Sequence, residues 1–550
     1  MLKPVFTTSL AIIAITLGGC AAKPTQDPRL TFFASLFTGA EQYENFNRIV
    51  ELTPVSTLSP SSDPYEFPEG ASIELPQSFT YADESVSTEE FLDQTDTTAV
   101  LVLKDGEVRF ETYRLTGGRA VNWLSMSVAK SFISALVGIA VDEGYIKSIE
   151  EPVTLYVPSL LGSAYDNVRI KDILQMSSGA KWNEDYSDPE SDIGRLGGTL
   201  ASGESLNDFS STLVRETQPG TRSLYNSTDT QVLGQLLVKA TGRSITDYMQ
   251  EKLWDPLGME ASAHWIVDNY NMEMAFGGLN ATARDYAKLG ELYRNRGRWG
   301  SEQVVPDAWV KASVVADAPH LTVEALGFGM GYGYQWWLMD GDEGEYSAIG
   351  VYNQFVYVNP THDLVIVKLS ASSDYAVTND ESSFRELETI EFFRSIRDQL
   401  VSVAASTTPL EDSVVFAGLA YFVTKPEYDR AASHLRQQLD PELVEYLSGV
   451  NQRVRDDPDR RNSRLKVCQE DATEQEIESA LQHFERTTKD VWVRLYESSA
   501  QDLSNDMYAT LTEAVQDHKQ SFSYVDFNNQ PYRNDLVDSL CRRERLATGN

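Results

Sequence analysis

The sequence predicts an α+β fold, and three observations carry that expectation. Two β-hairpin patterns lie far apart in the chain, near residues 99–113 and 354–369. Between them the apolar residues fall at helical rather than alternating intervals. Of the 550 residues 41% are hydrophobic and 10% aromatic, enough to bury a large core and to exclude wholesale disorder. Strands at both ends of a segment with helices between them imply one sheet that joins the ends.

Charge narrows the function before any motif does. With 82 acidic against 46 basic residues the formal net charge is -36. That balance argues against a nucleic-acid backbone binder, which needs basic patches to replace counterions. It argues equally against broad electrostatic adhesion to anionic lipid.

Taken in order, residues 1–19 read as a processing segment. Lys3 forms a basic start, Val5–Leu17 an apolar run too short to span a bilayer comfortably, and Leu17-Gly18-Gly19-Cys20 follows. Small residues before a Cys resemble a bacterial lipoprotein signal. The resemblance implies cleavage before Cys20 and lipidation of its thiol, which would anchor the chain in the bacterial cell envelope, facing the periplasm. Ala21 rather than Asp at the next position points to the outer membrane in enterobacterial-type sorting. Residues 20–75 read as a tether and N-terminal arm, because Thr53–Pro68 is rich in Pro, Ser and Thr.

Organised structure is expected from 76 to 403. Ala99–Leu103 and Val108–Tyr113 flank Asp105-Gly106, a strong hairpin signal. Phe132, Leu136, Ile139 and Ala140 mark a helix over 127–142, with Gly144 at its C-terminal stop. Amphipathic stretches follow at 230–239 and 283–293. Gln354–Val358 and Leu364–Leu369, joined through 359–363, form the second hairpin. Residues 404–408 read as a linker, and 409–550 as a mostly helical region, with a capping box at Thr473–Glu476. Its role is open, a partner in the envelope among the options. The 3 Cys are too few for a disulfide scaffold. Export would permit a Cys468–Cys541 bridge, and two free thiols fit the sequence equally well.

The chemistry concentrates at Trp123–Phe132. Ser127 and Lys130 form a Ser-x-x-Lys pair, and residues i and i+3 share a helix face. A serine hydroxyl is a weak nucleophile until a base takes its proton. Lysine can be that base only if burial or nearby positive charge lowers its pKa. The apolar run after Lys130 supplies burial, and the helix N-terminus offers N–H groups to an oxyanion. A second copy, Ser463–Lys466, sits in a highly charged stretch and reads as a solvated segment.

Several collinear stretches resemble the serine β-lactamase and penicillin-binding superfamily. They are Ser125–Gly144, Leu174–Gly179, Trp182–Tyr186, Leu253–Glu260, Gly277–Asp285 and Gly331–Trp337. The branch most similar is that of class C-like esterases and 6-aminohexanoate-oligomer hydrolases. The resemblance implies a β-lactamase/transpeptidase-like fold with an additional helical domain, and a second motif of the form Tyr-x-Asn. Tyr165-Asp166-Asn167 and Tyr293-Arg294-Asn295 lack the expected setting. Leu224-Tyr225-Asn226-Ser227 has it, as a Tyr-x-Ser variant, so Tyr225 is the expected proton-transfer partner of Lys130, as phenolate or as relay.

The resemblance also implies a third motif, usually Lys-Thr-Gly. Ser347–Gln354 stands in its place, with Gly350 fitting a position where backbone approaches substrate. The same resemblance places the second oxyanion N–H near Val351, beside that of Ser127. Ala348 offers no cation for a β-lactam carboxylate. Tyr186 matches a substrate-contacting loop; Asn280 reads as a structural turn.

Other site types fare poorly. There is no G-x-S-x-G, H-E-x-x-H or P-loop, the six His show no metal-ligand spacing, and nothing in the sequence points to a Ser-His-Asp triad. The expectation is a serine hydrolase acting on an ester or amide without metal or organic cofactor. A D,D-peptidase, a weak β-lactamase and a non-catalytic sensor on the same fold are the competing readings.

Overall fold

The computed structural model describes residues 28–36, 41–378 and 380–407. The signal segment, Cys20, Cys468, Cys541, the Ser463–Lys466 pair and the region 409–550 lie outside the described residues.

Seven antiparallel strands form the main sheet: β1 (Thr97–Lys104), β2 (Glu107–Tyr113), β3 (Met330–Tyr332), β4 (Trp337–Met339), β5 (Tyr346–Gly350), β6 (Gln354–Asn359) and β7 (Leu364–Ser370). Their order is β3-β4-β5-β6-β7-β1-β2. As expected, the sheet joins both ends of the segment: β1 pairs with β7, Val102 opposite Ile366. The turn between β1 and β2 has Asp105 at φ 57° and Gly106 at φ 78°. Both lie in the left-handed region that a two-residue hairpin turn requires and that an Asp-Gly pair tolerates.

The near-continuous apolar runs of β1, β6 and β7 follow from burial on both faces. Leu101, Leu103, Val356, Val358, Val365 and Val367 share one core with the helices α1 (Ala129–Asp142) and α3 (Ala283–Arg294). Their alternates Val100, Val102, Phe355, Tyr357, Leu364 and Ile366 pack with Ile390, Phe393 and Ile396 of α4 (Glu386–Thr407). Alternation is hidden because apolar residues along these strands face both sides.

Every residue of α1 from Ala129 to Ala140 is buried. A helix apolar on all sides has to sit inside a core, and this one carries Lys130 into it. Beside it lies α2 (Ser227–Thr241), whose N-cap Asn226 accepts a hydrogen bond from Thr228 N.

Three expectations need correction. The arm within 20–75 is not a loose tether over its described part. Val55–Leu58 is a strand paired with Ala263–Ile266, and Phe46, Leu58 and Phe67 are buried. The Pro/Ser/Thr composition concealed a short β-forming run, and Pro54 is tolerated because it stands just outside the strand, where only its carbonyl is needed, by Val267 N. The presumed linker at 404–408 is helical as far as Thr407, because α4 continues through it. Asn280 is not in a turn either: it lies within the strand Leu279–Ala281, and its amide donates to Phe46 O at 3.0 Å.

Candidate active site

Ser127 sits in a single 3-10 turn, Met126–Val128, immediately before α1. Met126 precedes it at φ 47°. A side chain at positive φ costs roughly 1–2 kcal/mol, and here it swings the Ser127 amide and hydroxyl to the head of α1. The segment is held in place by Ser125 N, which donates to Leu279 O at 2.9 Å.

One turn on, Lys130 is 1% exposed. Its Nζ lies 2.8 Å from Ser127 Oγ, 2.8 Å from Phe276 O and 3.2 Å from Ser227 Oγ. Among the described residues no carboxylate touches it; all three of these neighbours are neutral oxygens. Burial lowers its pKa from 10.5 to about 7, with the Glu184 carboxylate acting in the opposite direction. The structure places this lysine in the core, where burial favours its neutral form.

The structure brings Tyr225 to the same place. Its ring lies 5.1 Å from Lys130 Nζ and stacks on Trp337, with centroids 5.2 Å apart. Tyr332 and the half-exposed Phe328 extend this aromatic wall. The phenolate form expected as one alternative is disfavoured here. Burial, then the Glu184 carboxylate, push the phenol well above its ordinary 10, and the nearby Ser127 hydroxyl opposes the shift only in part. These causes favour the neutral phenol over the phenolate at Tyr225.

Gly350 closes β5 against the turn that carries Ser127. A Cβ added to it would lie 2.5 Å from Ser125 O and 3.0 Å from Ser127 N. Strand and 3-10 turn are thus in backbone contact, and Val351 follows Gly350 at the edge of the site. Ala348, two residues earlier on β5, is buried and apolar. A buried lysine on β7, Lys368, does not replace the missing cation. Its Nζ donates to Thr95 Oγ1, Asn353 Oδ1 and Ser370 Oγ on the α4 side of the sheet.

Two participants were not singled out from the sequence. Ser227, within the Tyr-x-Ser string, links Lys130 to Glu184: its hydroxyl donates to Glu184 Oε1 at 2.6 Å. The same Oε1 accepts from Tyr186 OH at 2.8 Å, and Oε2 accepts from Ser227 N at 3.1 Å and from Trp182 Nε1. Tyr186 thus belongs to the neighbourhood, tied by its hydroxyl to Glu184. The sequence signal for Glu184 is faint, since it sits in a loop with no periodicity. Its place between Trp182 and Tyr186 was the only pointer.

Against this geometry the comparisons are consistent. The Beta-lactamase family profile matches residues 88–389. This chain belongs to that family, and it is a hydrolase. Among its relatives is a 6-aminohexanoate-dimer hydrolase of Paenarthrobacter ureafaciens, 34% identical over 297 residues, which cover 52% of this chain and 75% of the relative. A beta-lactamase of Yersinia enterocolitica is 24% identical over 186 residues, 32% of this chain and 45% of its own length. Among solved structures, "Putative 6-aminohexanoate-dimer hydrolase from Bacillus anthracis" aligns with a TM-score of 0.60 at 21% identity, over 66% of this chain and 95% of that one. The fold and family expected from the motifs are those found.

Proposed function

We propose that the chain cleaves ester or amide bonds through an acyl-enzyme on Ser127. The observation that carries this reading is the buried Lys130 Nζ, 2.8 Å from Ser127 Oγ, with its pKa lowered to about 7. In the first step the Ser127 proton moves to Lys130 as Oγ bonds to the substrate carbonyl carbon. The backbone N–H groups of Ser127 and Val351 receive the oxyanion. Tyr225 relays the proton from Lys130 to the leaving group, and water releases the acyl group by the reverse route.

The aromatic wall of Tyr225, Trp337 and Tyr332 favours substrates with an apolar chain, and the similarity to a 6-aminohexanoate-dimer hydrolase favours linear amides. The apolar Ala348 speaks against anchoring a β-lactam carboxylate, which ranks the β-lactamase and D,D-peptidase readings second. A serine-directed phosphonate tests the proposal. It should add its mass to Ser127 in the wild type and in Ser463→Ala, and not in Ser127→Ala. Absence of any adduct on the wild type would overturn the acyl-enzyme reading.

Tyr225 gives a second, sharper expectation. An amine leaves only when protonated, whereas p-nitrophenolate leaves unaided. Tyr225→Phe should therefore slow a linear amide by roughly 10²-fold or more and a p-nitrophenyl ester far less. Equal losses on both substrates would remove Tyr225 from the relay.

A further inference from the structure

We propose that Glu184 is a positioning residue: it fixes the direction of the hydrogen bonds running from Ser227 through Lys130 to Ser127, so that the lysine lone pair can face only the nucleophile. The inference rests on the Ser127–Lys130 reading above and adds the reason why the base is aimed.

Donor counting gives the result. A charged lysine has three N–H donors and no acceptor, and it finds three oxygens: Phe276 O, Ser227 Oγ and Ser127 Oγ. A base must be neutral, with two N–H donors and one lone pair. Phe276 O is a backbone carbonyl and can only accept, so it takes one N–H. The other two neighbours are hydroxyls, and each could either accept from the amine or donate to it. If Ser227 donated, its proton would occupy the lone pair and Ser127 would be left accepting, the wrong polarity for attack.

Glu184 removes that alternative. As a carboxylate it accepts only, and the Ser227 hydroxyl donates to its Oε1 at 2.6 Å. With its one proton committed there, Ser227 presents only lone pairs to Lys130 and takes the second N–H. The lysine lone pair is then left for Ser127 Oγ–H. When Ser127 attacks, its proton passes to that lone pair, Oγ bonds to the carbonyl carbon and the carbonyl electron pair moves to oxygen. The lysine becomes the three-donor ammonium without moving.

The other contacts of Glu184 fix its own orientation. Oε2 accepts from Ser227 N at 3.1 Å and from Trp182 Nε1, both groups that can only donate. Tyr186 OH joins Ser227 on Oε1 at 2.8 Å. All four partners give protons to Glu184, an arrangement that a carboxylate satisfies and a carboxamide cannot. A glutamine would have to turn its oxygen toward the two obligate N–H donors. Its NH2 would then face Ser227 Oγ and donate to it, so that the serine proton would turn back toward Lys130.

This makes Glu184→Gln an inversion of the chain rather than a deletion. Acylation of Ser127 by p-nitrophenyl acetate, read as the pre-steady-state burst rate, should fall by about 10²-fold. Ser227→Ala removes the competing hydroxyl together with one acceptor and should cost only about tenfold. The double variant Glu184→Gln/Ser227→Ala should acylate at about the Ser227→Ala rate, faster than Glu184→Gln alone. A merely structural role for Glu184 predicts no such rescue. Should the glutamine variant not fold, Glu184→Ala with and without Ser227→Ala carries the same expectation. The proposal is overturned if the Glu184 variant acylates within about threefold of the wild type, or if removing the Ser227 hydroxyl does not restore rate. A wild type without a burst would instead defeat the Ser127 reading itself, so the two failures are told apart.

Discussion

Lys130→Met is expected to lower kcat/KM by about 10⁴-fold, the upper range for a general base, and at the same time to stabilise the protein at neutral pH. Both effects have one cause. Lys130 is buried among neutral oxygens, and burial brings its pKa from 10.5 to about 7. The groups facing it are the Ser127, Ser227 and Phe276 oxygens, the Tyr225 phenol ring and, through Ser227, the Glu184 carboxylate. Only Glu184 is charged, and it raises the lysine's pKa less than burial lowers it. The wild-type kcat/KM should accordingly rise with pH through about 7, as the lysine becomes the base.

The stability consequence follows by linkage. In the unfolded chain the lysine binds its proton up to about 10.5, in the folded one only up to about 7. Between these values the unfolded state holds more protons, so this residue favours unfolding by about 1.4 kcal/mol more for each pH unit below 10.5, levelling off below 7. Met fills the same space without a proton to lose. The variant's gain in thermal stability should be greatest at pH 6–7 and should vanish toward pH 10.5. Thermal melts across this range, beside ester turnover, check both halves. A variant keeping more than about 1% of the activity would remove Lys130 as the base. A stability gain independent of pH would contradict the buried-amine explanation.

How much of this was legible follows from where the information resides. The hairpins were readable because Asp105-Gly106 and the apolar runs of β1, β6 and β7 are local signals. The Ser127–Lys130 pair was readable because i, i+3 spacing on a helix is itself a geometric statement. Tyr225 needed the family pattern, since its approach to Lys130 spans nearly a hundred residues of sequence. Glu184 was out of reach: its role depends on four donors supplied by Trp182, Tyr186 and Ser227, and on Ser227 touching Lys130. The arm at 55–58 misled because composition reports the average of a stretch, whereas pairing with Ala263–Ile266 depends on four residues.

Gly350→Ala is the smallest change that should disable the site without touching a side chain that reacts. Gly350 is not at positive φ, so alanine meets no intrinsic backbone objection there. The conflict is one of contact. The new Cβ would lie 2.5 Å from Ser125 O and 3.0 Å from Ser127 N, closer than nonbonded atoms settle. Both contacts are backbone, so no rotamer change relieves them. β5 must draw back from the Met126–Val128 turn, or the turn from β5. Either movement widens the gap between the N–H groups of Ser127 and Val351. These two amides can stabilise one oxyanion only if they converge on it, and loss of one such donor costs roughly 10²–10³ in kcat, or ~2.7–4 kcal/mol. If substrate lies along the aromatic wall as proposed, most of its binding comes from Tyr225, Tyr332 and Trp337, so KM should change much less than kcat. Ser127 and Lys130 keep their mutual contact, so the pH at which activity rises should stay near that of the wild type. That separates this variant from one that disturbs the base. Measurement of kcat and KM on a p-nitrophenyl ester, with a thermal melt to confirm folding, decides the matter. A folded Gly350→Ala protein with kcat within about threefold of the wild type would show that the oxyanion is held elsewhere.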